Sequence, residues 1–451
     1  MTRPRAADTH KPLDVLETVR DSLRVLGPFR FVILVSLILT YVWRFHDLSG
    51  AIRPLRLSAL ATVGSWLILV VGDRQHLMRR LRQSAYLKLF LVWSAWILIS
   101  TFWALDQEYG RRLWIEDHLK TVTMVLFFMS CPPSRSVTRL MIYAMSFGAA
   151  VLCFFYAKGG FPLWGSPVPM YDVNDLALML NAAIPLSVFL VLTERSGFAR
   201  GLIGMSVLLC AFCVLMTRSR GGFLTLGCIS ALFLLYVQAS GWLKLAPIVA
   251  IVVGFTLLPS DGQDRLMTLF NPSTDYNVTA DDGRFAIWRR GATYLSDKPV
   301  MGVGFRNFAV AEATISPDAR QFGSAEAKVT HNSIIEVFVE TGFVGGLLYL
   351  AMIGTVLGRL LQSRRRMKNQ PSMENRVTQL CTDFLTVSVA AFLIGGFFLA
   401  LGYTPALFAL LTIATLIGPP GPETGRAASR RRLSQGLGRR RQVTRSLRPA
   451  L

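Results

Sequence analysis

The segment Thr330-His331-Asn332-Ser333, followed by Ile334-Ile335-Glu336 and Gly342-x-x-Gly345, sets a histidine at the mouth of a long apolar run. An uncharged imidazole in that place can take a proton from a hydroxyl. Ser333-x-x-Glu336 fits a capping box, so the spacing predicts a helix that begins at Ser333 and leaves His331 beside its unsatisfied amide groups. The partial positive charge of that helix end, with arginines nearby, disfavours imidazolium. The plainer alternative is a histidine that closes the loop by binding a carbonyl group.

The stretch Thr217-Arg218-Ser219-Arg220-Gly221-Gly222 joins two apolar runs and carries two guanidinium groups at the start of the second. Arginine presents a fixed fork of donors that grips phosphate oxygens in pairs, although an interfacial arginine can equally snorkel to water. Arg284 opens Arg284-Phe285-Ala286-Ile287-Trp288-Arg289-Arg290, which follows Asp281-Asp282-Gly283 and reads as a capped amphipathic helix. Arg284 and Trp288, four apart, share one face, and Arg289 and Arg290 are expected on the solvated one. Asp172 and Asn174 precede another apolar run, where they cap its helix or contact sugar hydroxyls. Asn332 is a further candidate substrate contact, and Trp164 and Trp288 are candidates to stack on sugar rings. Gly342, Gly345 and Gly346 have the small-residue spacing that lets helices approach closely in lipid, and so are expected to fix where His331 sits.

The elements that must hold these residues are mostly apolar. In 451 residues, 52% are hydrophobic and only 17% charged, which predicts an all-α polytopic membrane protein. Taking about 20 helical residues per crossing, about twelve spans are expected. They fall near 28–43, 57–72, 87–103, 113–130, 137–156, 175–192, 201–217, 221–238, 242–258, 333–361, 382–401 and 403–418. The 113–130 segment is the least regular, with Glu116, Asp117, His118 and Lys120 near its start.

The expected organisation is a cytoplasmic tail (1–27), spans one to nine (28–258), a large outward loop with short helices (259–332), spans ten to twelve (333–418) and a basic disordered tail (419–451). Alternating spans put the arginine-rich connections around Arg74–Arg82 and Arg359–Lys368 on the side of both termini, which marks that side as cytoplasmic. No cleavable signal peptide is apparent in the polar, basic first thirty residues, so the first span is expected to be retained. The candidate residues then gather on the outward side.

The formal net charge of +21 is in part this topology signal. The arginines at 430–432 and 439–441 suit anionic lipid rather than nucleic acid. Cys131, Cys153, Cys210, Cys213, Cys228 and Cys381 fall in or next to apolar runs and act as small apolar residues. Cys210-x-x-Cys213 lacks the second pair or histidine that a metal site needs. The sequence holds no Asp-x-Asp pair in an outward loop, no His/Glu metal cluster, no Walker loop and no Gly-x-Ser-x-Gly elbow, a pattern that points to chemistry on an already activated substrate. No internal repeat of the alternating-access kind is visible, which weighs against a transporter or flippase of a lipid-linked anion, the rival of a different class.

These residues resemble the O-antigen ligase family of bacterial envelope glycosyltransferases. The family pattern of His-Asn, nine residues and Gly-x-x-Gly matches His331-Asn332 through Gly342-x-x-Gly345, and its Arg-x-x-x-Leu motif matches Arg220 to Leu224. The resemblance implies a GT-C-like architecture in the bacterial inner membrane, with the active site in the periplasm between spans nine and ten. It implies inverting transfer of a glycan from a polyisoprenyl (undecaprenyl) diphosphate carrier to a lipid A-core sugar, with no metal or other cofactor. By position, His331 becomes the base and Arg220 and Arg284 hold the diphosphate, the Arg284 match being the looser; Arg218 joins them by proximity alone. A polymerase of O-antigen or exopolysaccharide, and an O-glycan ligase acting on protein, share this fold, donor and topology, so the acceptor stays open between them.

Overall fold

Asp14 starts the first helix with a reciprocal cap, its side chain accepting from the Glu17 amide and the Glu17 carboxylate accepting from the Asp14 amide. The computed structural model describes residues 14–48, 52–72, 74–159, 172–236, 249, 251–256, 258, 260–267, 280, 283–317, 327–368 and 373–417. Every regular element among them is helical. In chain order these are α1 (Val15–Leu26), α2 (Pro28–Leu37), α3 (Leu57–Val71), α4 (Gln75–Gln83), α5 (Ala85–Ser100), α6 (Gln107–Leu113), α7 (Leu119–Ser130), α8 (Arg135–Lys158) and α9 (Val173–Thr193). There follow α10 (Gly197–Met216), α11 (Arg220–Tyr236), α12 (Ser260–Met267), α13 (Arg284–Asp297), α14 (Phe308–Ile315), α15 (Ser333–Lys368), α16 (Met373–Gly396) and α17 (Pro405–Leu416). Short π-helical turns extend α2 to Val42 and precede α7.

Among the described residues five helices, α8, α9, α10, α15 and α16, are long and apolar enough to cross a membrane. Counting each of two bent pairs as one span, α1 with α2 and α3 with α4, raises the number to at most seven, and α5, α11 and α17 are shorter apolar helices. Helices thus occupy the apolar segments read from the sequence, apart from 242–258, most of which lies outside the described residues. So do the 419–451 tail and Trp164. The segment expected as a bare tail up to residue 27 contains α1, which meets α2 at Gly27 with a bend of 115°.

Burial follows the logic of a bundle in lipid. α9 is covered almost throughout, from Leu176 to Leu190, and forms the centre on which α8, α10, α11 and α16 pack. On α10, Phe198, Leu202, Met205 and Leu208 stay exposed. Apolar side chains turned outward in a row are stable against acyl chains and costly against water.

The element that fixes the site is α15. It consists of two helices joined at Gly342, where φ is 68° and ψ −176°. Gly342, expected to allow close packing and so fix where His331 sits, is closely packed, since a Cβ there would press into the Val300 backbone, and its positive φ also breaks the helix. The break leaves carbonyl groups without intrahelical donors, and each finds one. Val303 N donates to Val339 O at 2.9 Å, Gly304 N to Glu340 O at 2.8 Å, and Trp96 Nε1 to Thr341 O at 2.9 Å. Phe343 N in turn donates to Pro299 O at 2.7 Å. The loop after α13 is therefore bonded into the helix break, the form in which irregular backbone is stable within apolar surroundings.

The α13–α14 pair packs on this same helix. Ile287, Tyr294, Val303, Phe308, Ala311 and Val339 form one buried cluster. Arg290 was expected on a solvated face. It is instead paired with Glu312 at 2.6 Å, with side-chain exposures of 18% and 2%, and Tyr294 Oη donates to the same carboxylate at 2.8 Å. Burying Glu312 without these donors would be prohibitive, so the pair locks α13 to α14.

Candidate active site

His331 stands in the turn between residue 327 and α15 with φ of 48°, the left-handed conformation that a histidine adopts only when its neighbours are fixed. Asn332 fixes one side. Its Oδ1 accepts from the amides of Ile334 and Ile335, both at 3.0 Å, and its carbonyl accepts from Glu336 N. The helix begins at Ser333 as expected, but its cap is Asn332 and not a Ser333–Glu336 box. Ser333 Oγ instead donates to Leu399 O at 2.7 Å and accepts from Leu401 N at 3.0 Å. Asn332, a candidate substrate contact in the sequence, is buried with its carboxamide oxygen committed to the cap.

Glu336, freed from the box, accepts from Gly402 N at 2.9 Å and lies 3.4 Å from Arg306 Nη1. Glu340, one turn on, accepts from the amides of Arg306 (2.9 Å) and Phe308 (3.1 Å). The Arg306 guanidinium also lies 5.0 Å from the centre of the Tyr403 ring. This cluster was missed in the sequence, although a signal was there: carboxylates four apart in an apolar helix demand a cationic or amide partner. It ties the turn after α16 and the loop after α13 to the helix that carries His331.

The arginine candidates come from other helix starts. Ser219 caps α11, its Oγ accepting from Gly222 N at 3.1 Å, and Arg220 is the first helical residue. A Cβ at Gly222 would meet Ala177 Cβ at 2.6 Å, so glycine lets α11 lie against α9, where Asn181 Nδ2 donates to Gly222 O at 2.9 Å. Arg284 begins α13, whose N-cap is Gly283 without a side-chain bond; Asp281 and Asp282, the caps expected there, lie outside the described residues. Asp172 caps α9, accepting from the amides of Asn174 and Asp175 at 2.7 Å.

A small cleft brings these starts together, with Asn174, Ser219, Gly221, Thr225, Arg284 and Phe398 among its walls. Ser219 and Gly221 flank Arg220 in sequence, so the Arg220 turn forms one wall and Arg284 another. Helix amino termini carry partial positive charge, and a cleft between them favours a negatively charged group. Arg218, with φ of 50°, runs its side chain along Gly262 of α12, with Cδ and Nε 3.3 Å from where a Cβ would stand.

His331 lies within electrostatic reach of Arg284 and of Asp172. Burial, and then the Arg284 cation, hold its pKa below the usual histidine range, with Asp172 offsetting part of that. The imidazole is therefore neutral at pH 7, with burial the largest cause and the Arg284 cation the next. Trp288 is placed next to it, Nε1 donating to Thr330 O at 2.8 Å.

Residues 205–350 match the family model described as O-Antigen ligase. The matched segment is similar to that family over about a third of the chain. It contains Arg218, Arg220, Arg284, Trp288, His331, Asn332 and the Gly342-x-x-Gly345 pair, while Asp172 and Asn174 precede it. The chain is also similar to the exopolysaccharide production protein ExoQ of Rhizobium meliloti, with 28% identity over 341 residues, 69% of this chain and 74% of that protein. Both similarities, to an O-antigen ligase model and to a protein of exopolysaccharide production, point toward the same group of ligase- and polymerase-type proteins.

Proposed function

We propose that the protein is a metal-independent, inverting glycosyltransferase of O-antigen ligase type, moving a glycan from a polyisoprenyl (undecaprenyl) diphosphate to a sugar hydroxyl. The observation that carries this reading is a neutral His331 within electrostatic reach of Arg284, which lines a cleft together with Ser219 and Gly221, the neighbours of Arg220 in the chain. His331 takes the proton of the acceptor hydroxyl as its oxygen attacks the anomeric carbon from the face opposite the leaving group. The bond from that carbon to the phosphate oxygen breaks, and its electron pair leaves on the diphosphate. Arg220 and Arg284, with Arg218 behind them, receive the growing negative charge, and the amino termini of α9, α11 and α13 add their dipoles. Asp172 and Asn174 stand where the donor sugar would meet the cleft. In this reading the chain lies in a bacterial inner membrane with about twelve spans. Both termini are cytoplasmic, and α13, α14 and His331 face the periplasm.

The motif resemblance to the O-antigen ligase family implies a lipid A-core sugar as acceptor. A second reading, an exopolysaccharide polymerase that adds to a growing glycan, is favoured by the similarity to a protein of exopolysaccharide production along 69% of the chain. Purified full-length protein incubated with carrier-linked glycan and each acceptor in turn separates them by where the label becomes covalently attached. Transfer is expected to proceed unchanged with chelator present, and a requirement for an added divalent cation would overturn the metal-independent reading.

The pH dependence carries its own sign. His331 is active when neutral, and its depressed pKa keeps it neutral as pH falls, until activity is lost on the acid side below the usual histidine range. Arg284→Ala removes a cation that disfavours imidazolium, so the acid limb of the normalised rate profile is expected to move to higher pH. A limb that stays in place would remove His331 from the rate-determining proton transfer.

A further inference from the structure

The geometry points to Trp288 as a positioning residue that sets the spacing between the His331 imidazole and the Arg284 guanidinium, through its bond to the Thr330 carbonyl and its packing on Phe397. This rests on the reading of His331 as the base.

Arg284 and Trp288 are four apart on α13 and so project from the same helix face. Arg284 lines the cleft, and one turn later the Trp288 indole N–H donates to Thr330 O at 2.8 Å, the peptide that leads into His331. A single helix face therefore holds both the cation and the backbone of the base. The indole is itself fixed, its ring lying 5.4 Å from Phe397 in an edge-on arrangement and 5.2 Å from Phe285. Phe397 precedes Phe398 of the cleft wall and Leu399, whose carbonyl accepts from Ser333 Oγ. The left-handed backbone of His331 is thus clamped before by Trp288 and after by the Asn332 cap and the Ser333–Leu399 bond. A conformation that costs about 1–3 kcal/mol persists only where its surroundings over-determine it, and Trp288 is the side-chain constraint from α13.

α13 in turn is held to the bundle by Gly291, where a Cβ would stand 3.1 Å from Phe308 and 3.4 Å from Val339, and by the Arg290–Glu312 pair. The Trp288 bond carries that rigidity to the turn. The charged groups acting on the imidazole are Arg284 on α13 and Asp172 at the start of α9, so its protonation responds to its burial first and to its distance from Arg284 next, and loosening the turn weakens both.

The test uses the full-length protein in lipid nanodiscs, with carrier-linked glycan and whichever acceptor the wild-type protein labels. Trp288→Phe keeps a ring against Phe397 but removes the donor. It is expected to lower kcat by about tenfold, on the scale of a misplaced catalytic group. The donor KM should change little, and the acid limb of the rate profile should shift to higher pH as His331 drifts from Arg284. If Trp288 only stacked on a sugar, KM would rise while kcat and the acid limb stayed put. That outcome, or wild-type behaviour in all respects, overturns the inference. Should Trp288→Phe fold poorly, 3-benzothienylalanine at position 288 keeps the bicyclic shape with sulfur in place of N–H, and the same kcat loss and limb shift are expected. His331→Asn run in parallel separates the two levels. If it retains transfer, the assignment of the base fails; if it is inactive while both Trp288 variants match the wild type, the positioning role alone fails.

Discussion

His331→Asn is expected to lower glycan transfer by about 10²–10⁴, the range that a positioned general base supplies, while the protein stays folded. Asparagine is the informative replacement because it tolerates the left-handed backbone that His331 adopts, at φ of 48°, better than alanine does. It also keeps a polar side chain without a basic nitrogen. The comparison is initial rates at matched protein, with size-exclusion elution and thermal stability in detergent as the check on folding. A transporter of a lipid-linked anion would tolerate this change and suffer more from loss of several arginines. Near wild-type transfer by a folded His331→Asn protein would therefore remove the proposed chemistry while leaving the proposal of an anion-binding cleft untouched.

Gly342→Ala is expected to produce the largest loss of stability among single methyl additions in α15. Alanine at φ of 68° is strained by about 1 kcal/mol or more before any contact is considered. The added Cβ would also press on the Val300 carbonyl, in the loop whose Val303 and Gly304 amides complete the helix break. If the loop is pushed away, the carbonyls of Val339 and Glu340 lose their donors in apolar surroundings, each at a cost of about 1–3 kcal/mol. Arg306, which follows that loop and meets Glu336 and Glu340, would shift with it. A markedly lower melting temperature in detergent and weaker transfer are the expected results. Gly354→Ala, in the same helix but with open space around its Cβ position, serves as the control that leaves both near wild type. Equal stability of the two variants would show that the break does not depend on glycine.

The helical, membrane-embedded character was legible because it rests on local physics. Apolar runs of sufficient length have few alternatives in lipid, and the helices lie where those runs are. The start of α15 at Ser333 was legible too, but its cap was not. Ser333 and Glu336 satisfy a local pattern, yet both are taken by the 399–402 turn some seventy residues away, and Asn332 caps instead. Arg290 failed for a similar reason, since its solvated face is covered by α14 once Glu312 needs a partner.

What the sequence determined by itself was the set of reactive groups: a histidine ahead of an apolar helix, arginines at two other helix starts, and the spacing that links His331 to Gly342. Short-range patterns suffice for that, because caps, breaks and apolar periodicity are properties of a few consecutive residues. What only the tertiary structure decided was that the starts of α9, α11 and α13 line one cleft, that burial is the largest influence on the His331 pKa, and that the helix break at Gly342 receives the loop leading to Arg306. Those outcomes depend on which backbone amides and charges are left without partners once the helices pack, and such remainders are set by contacts between segments far apart in the chain.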